Sequence, residues 1–189
     1  MLSWRGYYLN RITDLFNLPN LLRSSWEPLT RHQDIPDALR PLLCETGSLT
    51  ALLRKQCRIL HVEVLNEQRR QLDGEVQAIL GCDSALCREV VLYCDDIPVV
   101  YGQSWLPDSA ALLGLNNIGN TPLGERLFDQ QAWQRGAIEV AMLDKTMLPS
   151  CFPLKETSNG DLCYARRSVF TRQNSKVLVC EIFLNGVKV

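Results

Sequence analysis

The distribution of β-rich runs constrains this chain more than any other feature. From Arg58 to Leu65 apolar and polar residues alternate, Leu60, Val62 and Val64 against His61 and Glu63, which is the period of a half-buried strand. Further β-rich runs span 86–94, 99–106, 137–143, 166–172 and 176–184. Asp95-Asp96-Ile97-Pro98 supplies turn chemistry between the second and third runs, so these are expected to pair as an antiparallel hairpin. A parallel sheet would need strands and helices in regular alternation. Here the strands cluster, with helical segments between two groups, and the predicted class is α+β with a largely antiparallel sheet.

Helix starts are marked by capping chemistry. In Gly47-Ser48-Leu49-Thr50 the Ser48 hydroxyl is placed to cap the first turn, with Leu49 at the first helical position. A second helical segment opens after Pro107-Asp108. A third opens at Asn120-Thr121-Pro122-Leu123, where Thr121 is positioned to cap and Pro122 suits the first turn. Before all of these, Leu9, Ile12, Leu15 and Phe16 have helical spacing that Pro19, Pro28 and Pro36 interrupt. The organisation expected is an N-terminal arm over 1–35, a short helix and an extended stretch, followed by one domain over 36–189. A chain of 189 residues supports one domain with a sizeable core and is short for two.

Charge and composition remove several function classes. The net charge is -1 with acidic and basic residues interspersed, so no basic field exists to gather phosphates, and nucleic acid is not expected as a partner. Met1 to Asn10 carries Arg5 and two tyrosines where an export signal needs an apolar core. No apolar stretch approaches the roughly 20 residues of a membrane-spanning helix. A cytoplasmic protein without membrane insertion is therefore expected. In that setting the eight cysteines read as reduced, structural residues. Only two histidines occur, His32 and His61, and Cys82 and Cys87 lack zinc-site spacing, so no metal is expected. Gly114, Gly119 and Gly124 match neither a dinucleotide fingerprint nor a phosphate loop, and no nucleophile elbow is present.

Two charged residues fit poorly into apolar strands. Strand alternation puts Arg88 on one face with Val90, Leu92 and Cys94. An arginine cannot shed its charge there, so it needs an anion, from a protein carboxylate or from a ligand. Glu181 poses the same problem with opposite sign between Val179 and Phe183: it is an acid or base candidate, or the partner of Arg88 or another arginine. The helix starts at Leu49 and Leu123 offer backbone amides that can hold a carboxylate, or that caps and water simply satisfy.

Gly47-Ser48-Leu49-Thr50, Arg88-Glu89-Val90-Val91-Leu92, Asn120-Thr121-Pro122-Leu123-Gly124-Glu125-Arg126-Leu127-Phe128, Ala165-Arg166-Arg167-Ser168 and Cys180-Glu181-Ile182-Phe183-Leu184, in that order and spacing, resemble the motifs of the chorismate pyruvate-lyase family. The resemblance covers about Pro36 to Leu184 and leaves the N-terminal arm outside. It implies a sheet of about six antiparallel strands with helices closing over an internal ligand cavity. It also implies that Arg88 and the backbone amides of Leu49 and Leu123 bind a ring carboxylate, and that Glu181 meets a phenolic hydroxyl. Position 49 is leucine where some members carry methionine, a small change if the contact is through the backbone.

The implied reaction converts chorismate to 4-hydroxybenzoate and pyruvate without a cofactor, feeding ubiquinone or another 4-hydroxybenzoate-derived product, in a monomer. Chorismate's second carboxylate calls for another cation, and strand alternation should turn Arg166 or Arg167 inward to meet it. The competing class is a non-catalytic sensor of small aromatic acids, since ligand-binding domains of some transcription regulators share this general fold. Against it, the chain holds no basic recognition helix.

Overall fold

The alternating runs form one antiparallel sheet in a computed structural model that describes residues 21–32, 35–72, 74–129, 133–144 and 162–184. Its strands are β1 (Glu27–Pro28), β2 (Leu60–Gln71), β3 (Ser84–Cys94), β4 (Ile97–Leu106), β5 (Gln134–Asp144), β6 (Leu162–Arg172) and β7 (Ser175–Phe183), in the spatial order β1-β5-β6-β7-β4-β3-β2. Every neighbouring pair is antiparallel. Six long strands match the expectation. The seventh is a two-residue edge piece whose Glu27 lies opposite Val140 and Pro28 opposite Glu139, too short to leave a periodic signal. β2 runs past its expected end at Leu65 because its polar second half is a half-exposed sheet edge, where alternation carries no information. Asp95 and Asp96 take positive φ angles of 49° and 66°, the conformation that a two-residue β3–β4 turn requires.

Helices cover both faces. On one, α3 (Gly74–Leu80) lays Val76 and Leu80 over Val91, Tyr101, Cys180 and Ile182. On the other, α1 (Arg40–Leu43) and α2 (Leu49–Arg54) bring Leu42, Leu43, Leu49 and Leu53 onto Leu92, Val100 and Phe183. Beside them Leu115, Ile118 and Leu127 pack with Phe170 and Val177. These come from the segment after the single turn α4 (Asp108–Ala110) and from α5 (Leu123–Phe128).

The expected cap of α2 is present: the Ala51 amide donates to Ser48 Oγ at 3.2 Å. That of α5 is not. Its N-cap is Pro122 and no side chain accepts from its first turn, because Thr121 lies one residue too early and its own amide donates to the Ile118 carbonyl.

The expectation that every cysteine is a free thiol fails at one pair, since Cys57 and Cys94 form a disulfide. β2 pairs with β3 so that Leu60 faces Cys94, which carries Cys57, three residues ahead, to a Cα–Cα distance of 5.3 Å. Proximity of that kind comes from strand register and is invisible in a sequence separation of 37. Cys44, Cys82, Cys87 and Cys180 are free, and burial pushes the Cys87 thiol up to about 12.

On the α3 face Glu89 is fully buried and accepts from Tyr101 Oη at 2.8 Å, Gln103 Nε2 at 3.1 Å, Asn66 Nδ2 at 2.9 Å and Arg70 Nη2 at 2.8 Å. Removing the carboxylate strands four donors and a cation. Glu89→Leu should therefore lower stability by about 3–5 kcal/mol, read as a shift in a urea unfolding midpoint. A change below about 1 kcal/mol would mean that the network does not hold these strands.

Candidate active site

Between the α2 and α5 packing clusters, the sheet face is not filled by side chains. A cavity of about 580 Å³, counting the open space at its mouth, lies on β3, β4 and β7 and is roofed by α2 and α5. Its floor is set by register: Val90, Gly102 and Glu181 form one row across β3, β4 and β7, and Arg88, Ser104 and Val179 form the next. Gly102 keeps the floor low, because a Cβ there would meet Val90 Cγ2 at 3.1 Å and project into the cavity. The roof is close for a similar reason. A Cβ on Gly124 would lie 3.2 Å from Thr50 Oγ1 and 3.3 Å from Ser48 Oγ, so its absence lets the starts of α5 and α2 abut.

The four residues singled out in the sequence, Arg88, Glu181, Leu49 and Leu123, all line this cavity. The amides of Leu49 and Leu123 belong to first helical turns, whose N–H groups the helical ladder leaves without partners. Arg88 and Glu181 stand two strands and one row apart, about 12 Å between Cα atoms by sheet geometry, and do not pair with each other. Arg88, 1% exposed, donates to the Gly119 carbonyl at 2.7 Å and lies 3.2 Å from Glu67 Oε2 on the sheet edge. Burial lowers its pKa and the Glu67 carboxylate opposes that, leaving a cation at neutral pH. Glu181 accepts from Arg166 Nε at 2.5 Å.

Strand alternation separates the two adjacent arginines of β6 as expected, and only one faces the site. Arg166 sits beneath Glu181 and donates from Nη1 to the Leu42 and Glu45 carbonyls at 2.6 and 2.8 Å, pinning the end of α1. Arg167 points to the α3 face, where Glu139 and Glu75 accept at 2.7 and 2.6 Å and its guanidinium lies over Trp26. That removes Arg167 from the site.

Sequence reasoning missed Arg135. It lines the cavity from β5, its guanidinium 4.8 Å from the Phe170 ring centroid and 5.3 Å from that of Phe128, with Nη1 donating to the Glu45 carbonyl at 2.8 Å. The run read as starting at 137 begins at Gln134, and an arginine at a strand's frayed start looks like a surface residue. No signal in the sequence marks it, because Phe128 and Phe170 meet it only through the fold. Among the described residues no group of three or more His, Cys, Asp and Glu side chains is placed to hold a metal, and no helix is long and apolar enough to cross a membrane.

This arrangement, a sheet-floored cavity with a cation at one end and a carboxylate at the other, can be set against known proteins. The profile of the family described as "Chorismate lyase" matches residues 20–188. The chain belongs to the chorismate lyase family. It is accordingly a lyase acting on chorismate. A relative described as "Probable chorismate pyruvate-lyase" from Pseudoalteromonas translucida is 39% identical over 178 residues, covering 91% of this chain and 98% of the relative. Another of the same description, from Shewanella amazonensis, is 36% identical and covers 79% of this chain and 81% of the relative. Among solved structures, the effector domain of PhnF from Mycobacterium smegmatis superposes with a TM-score of 0.52 at 16% identity, covering 75% of this chain and 90% of that domain. At that identity the likeness is one of fold alone.

The pairing scheme is testable by mutant cycles on stability. Arg166→Met and Glu181→Gln should couple by about 1–3 kcal/mol, whereas Arg88→Met and Glu181→Gln should add to within about 0.5 kcal/mol. Strong coupling in the second cycle would mean that Arg88 and Glu181 form a bridge with each other.

Proposed function

We propose that the chain eliminates pyruvate from chorismate to give 4-hydroxybenzoate, with the ring carboxylate held by Arg88 and the Leu49 and Leu123 amides, and the C4 hydroxyl met by Glu181. The observation that carries this reading is the cavity itself, with Arg88 and Glu181 on separate parts of its wall and the apolar side chains of Val90 and Val179 between. A planar aromatic acid with a para hydroxyl presents the complementary pattern: an anion at one end, a donor at the other and an apolar ring between them.

The chemistry asks little of the protein beyond placement. The C3–oxygen bond of the enolpyruvyl ether breaks, hydrogen leaves C4, and the ring becomes aromatic. The released enolpyruvate takes up a proton at its methylene carbon and becomes pyruvate. Aromatisation drives the step, so the contribution required is to hold a flexible dianion in reactive geometry away from bulk water. Glu181, an acceptor toward the C4 hydroxyl, polarises that group as the electronic change occurs beside it. Arg166, bonded to Glu181, fixes the carboxylate's orientation. Arg88 and the two helix-start amides bind substrate and product alike, which makes product retention part of the same design.

Two substitutions separate these roles, in an assay following 4-hydroxybenzoate by absorbance and titrations with 4-hydroxybenzoate and benzoate. Arg88→Ala should weaken both ligands by similar factors, about tenfold or more, because it removes the anchor they share. Glu181→Gln should leave benzoate within about threefold while lowering kcat by about a hundredfold. Benzoate binding that survives Arg88→Ala unchanged, or turnover that survives Glu181→Gln, would refute the assignment.

A further inference from the structure

We infer that Arg135 is the specificity-determining cation for the second carboxylate of the substrate, the one carried on the side arm at C3. The inference rests on the proposed orientation of the ring in the cavity.

Three features of Arg135 single it out. It is a cavity-wall guanidinium without a carboxylate partner within ion-pair distance among the described residues; its one hydrogen bond is to the Glu45 carbonyl, and its Nε is buried without a partner. Arg88 has Glu67, Arg166 has Glu181 and Arg167 has Glu75 and Glu139. An unpaired cation out of bulk water is costly unless an anion arrives. Burial and the neighbouring Arg166 pull its pKa down to about 10, against the charges of Glu181 and Glu45, which oppose the shift from beyond ion-pair distance; it stays charged at neutral pH.

Its position matches the chemistry. Arg135 and Arg166 donate to the same Glu45 carbonyl, and Arg166 holds Glu181, so the Arg135 guanidinium belongs to the Glu181 end of the cavity. Arg88 lies at the other end beside the Gly119 carbonyl. With the ring carboxylate on Arg88 and the C4 hydroxyl on Glu181, a substituent on the adjacent C3 also falls at the Glu181 end. Cation–π contacts with Phe170 and Phe128 and the hydrogen bond to the Glu45 carbonyl hold the guanidinium in place, so an arriving carboxylate meets a positioned cation. Arg166 is the less suitable receptor: it does not border the cavity, and its charge is already matched by Glu181.

The distinction to measure is between dianion and monoanion. The probes are 4-hydroxybenzoate and 3-(carboxymethoxy)-4-hydroxybenzoate, a stable acid with its second carboxylate on a C3 ether arm, titrated calorimetrically into the wild-type chain and into Arg135→Gln, Arg135→Met and Arg135→Lys. Either neutral variant should bind the dianion about tenfold or more weakly while 4-hydroxybenzoate stays within about threefold, and the lysine variant should recover part of the loss. Equal weakening of both ligands would make Arg135 a wall residue only, and unchanged dianion binding would overturn the inference directly. The two neutral variants guard against one failing to fold. If the wild type binds 4-hydroxybenzoate but not the dianion, the inference falls and the proposed product site stands. If it binds neither, the proposed site is wrong and the inference goes with it.

Discussion

A guanidinium that cannot lose its charge has to be answered by something, and this sheet buries several. Arg88 and Arg166 on one face and Arg167 on the other are each no more than 2% exposed. Their partners come from segments distant in sequence: Glu67 and the Gly119 carbonyl for Arg88, Glu181 and the Leu42 and Glu45 carbonyls for Arg166, Glu139 and Glu75 for Arg167. Each charge is thus a condition on how loops and helices close over the strands. Breaking such a pair costs several kcal/mol because the orphaned ion stays buried. The roof over the cavity is anchored in the same way, since the turn after α1 supplies its carbonyls to Arg166 and Arg135.

The two faces use this chemistry differently. On the α3 side the buried charges are paired with opposite ones, Glu89 taking four donors that include Arg70 and Arg167 two carboxylates, and the space between is packed. On the α2 and α5 side a glycine floor and a glycine roof leave a volume open, and charge remains unmatched around it. That asymmetry separates a structural network from a binding site. The sheet plan shared with the PhnF effector domain is a likeness of fold and does not dictate chemistry, which lies in the side chains that face the open volume.

Much of this was legible in the sequence, and the exceptions have physical causes. Alternation over Arg58–Leu65 and β-rich composition elsewhere mark the six long strands, and the misfit of Arg88 and Glu181 with their apolar neighbours marks both as residues of interest. Ser48 declared the start of α2. Features that depend on tertiary register were not legible: the Cys57–Cys94 bond, the Glu27–Pro28 edge strand, and the separate partners of Arg88 and Glu181. Arg135 went unnoticed because its environment is built by Phe128 and Phe170, from α5 and β6, and nothing in its own neighbourhood along the chain distinguishes it. Thr121 misled in the opposite direction, since a capping residue one position too early looks the same in sequence as one in place.

In the proposed function the open volume over Gly102 holds an aromatic acid with its carboxylate toward Arg88 and its hydroxyl toward Glu181. A crystal structure of the chain with 4-hydroxybenzoate tests it most directly. The carboxylate oxygens are expected within hydrogen-bonding distance of the Arg88 guanidinium and of the Leu49 and Leu123 amides, and the phenolic oxygen against the Glu181 carboxylate. A ligand bound in the reverse sense, or seated outside this cavity, would contradict it.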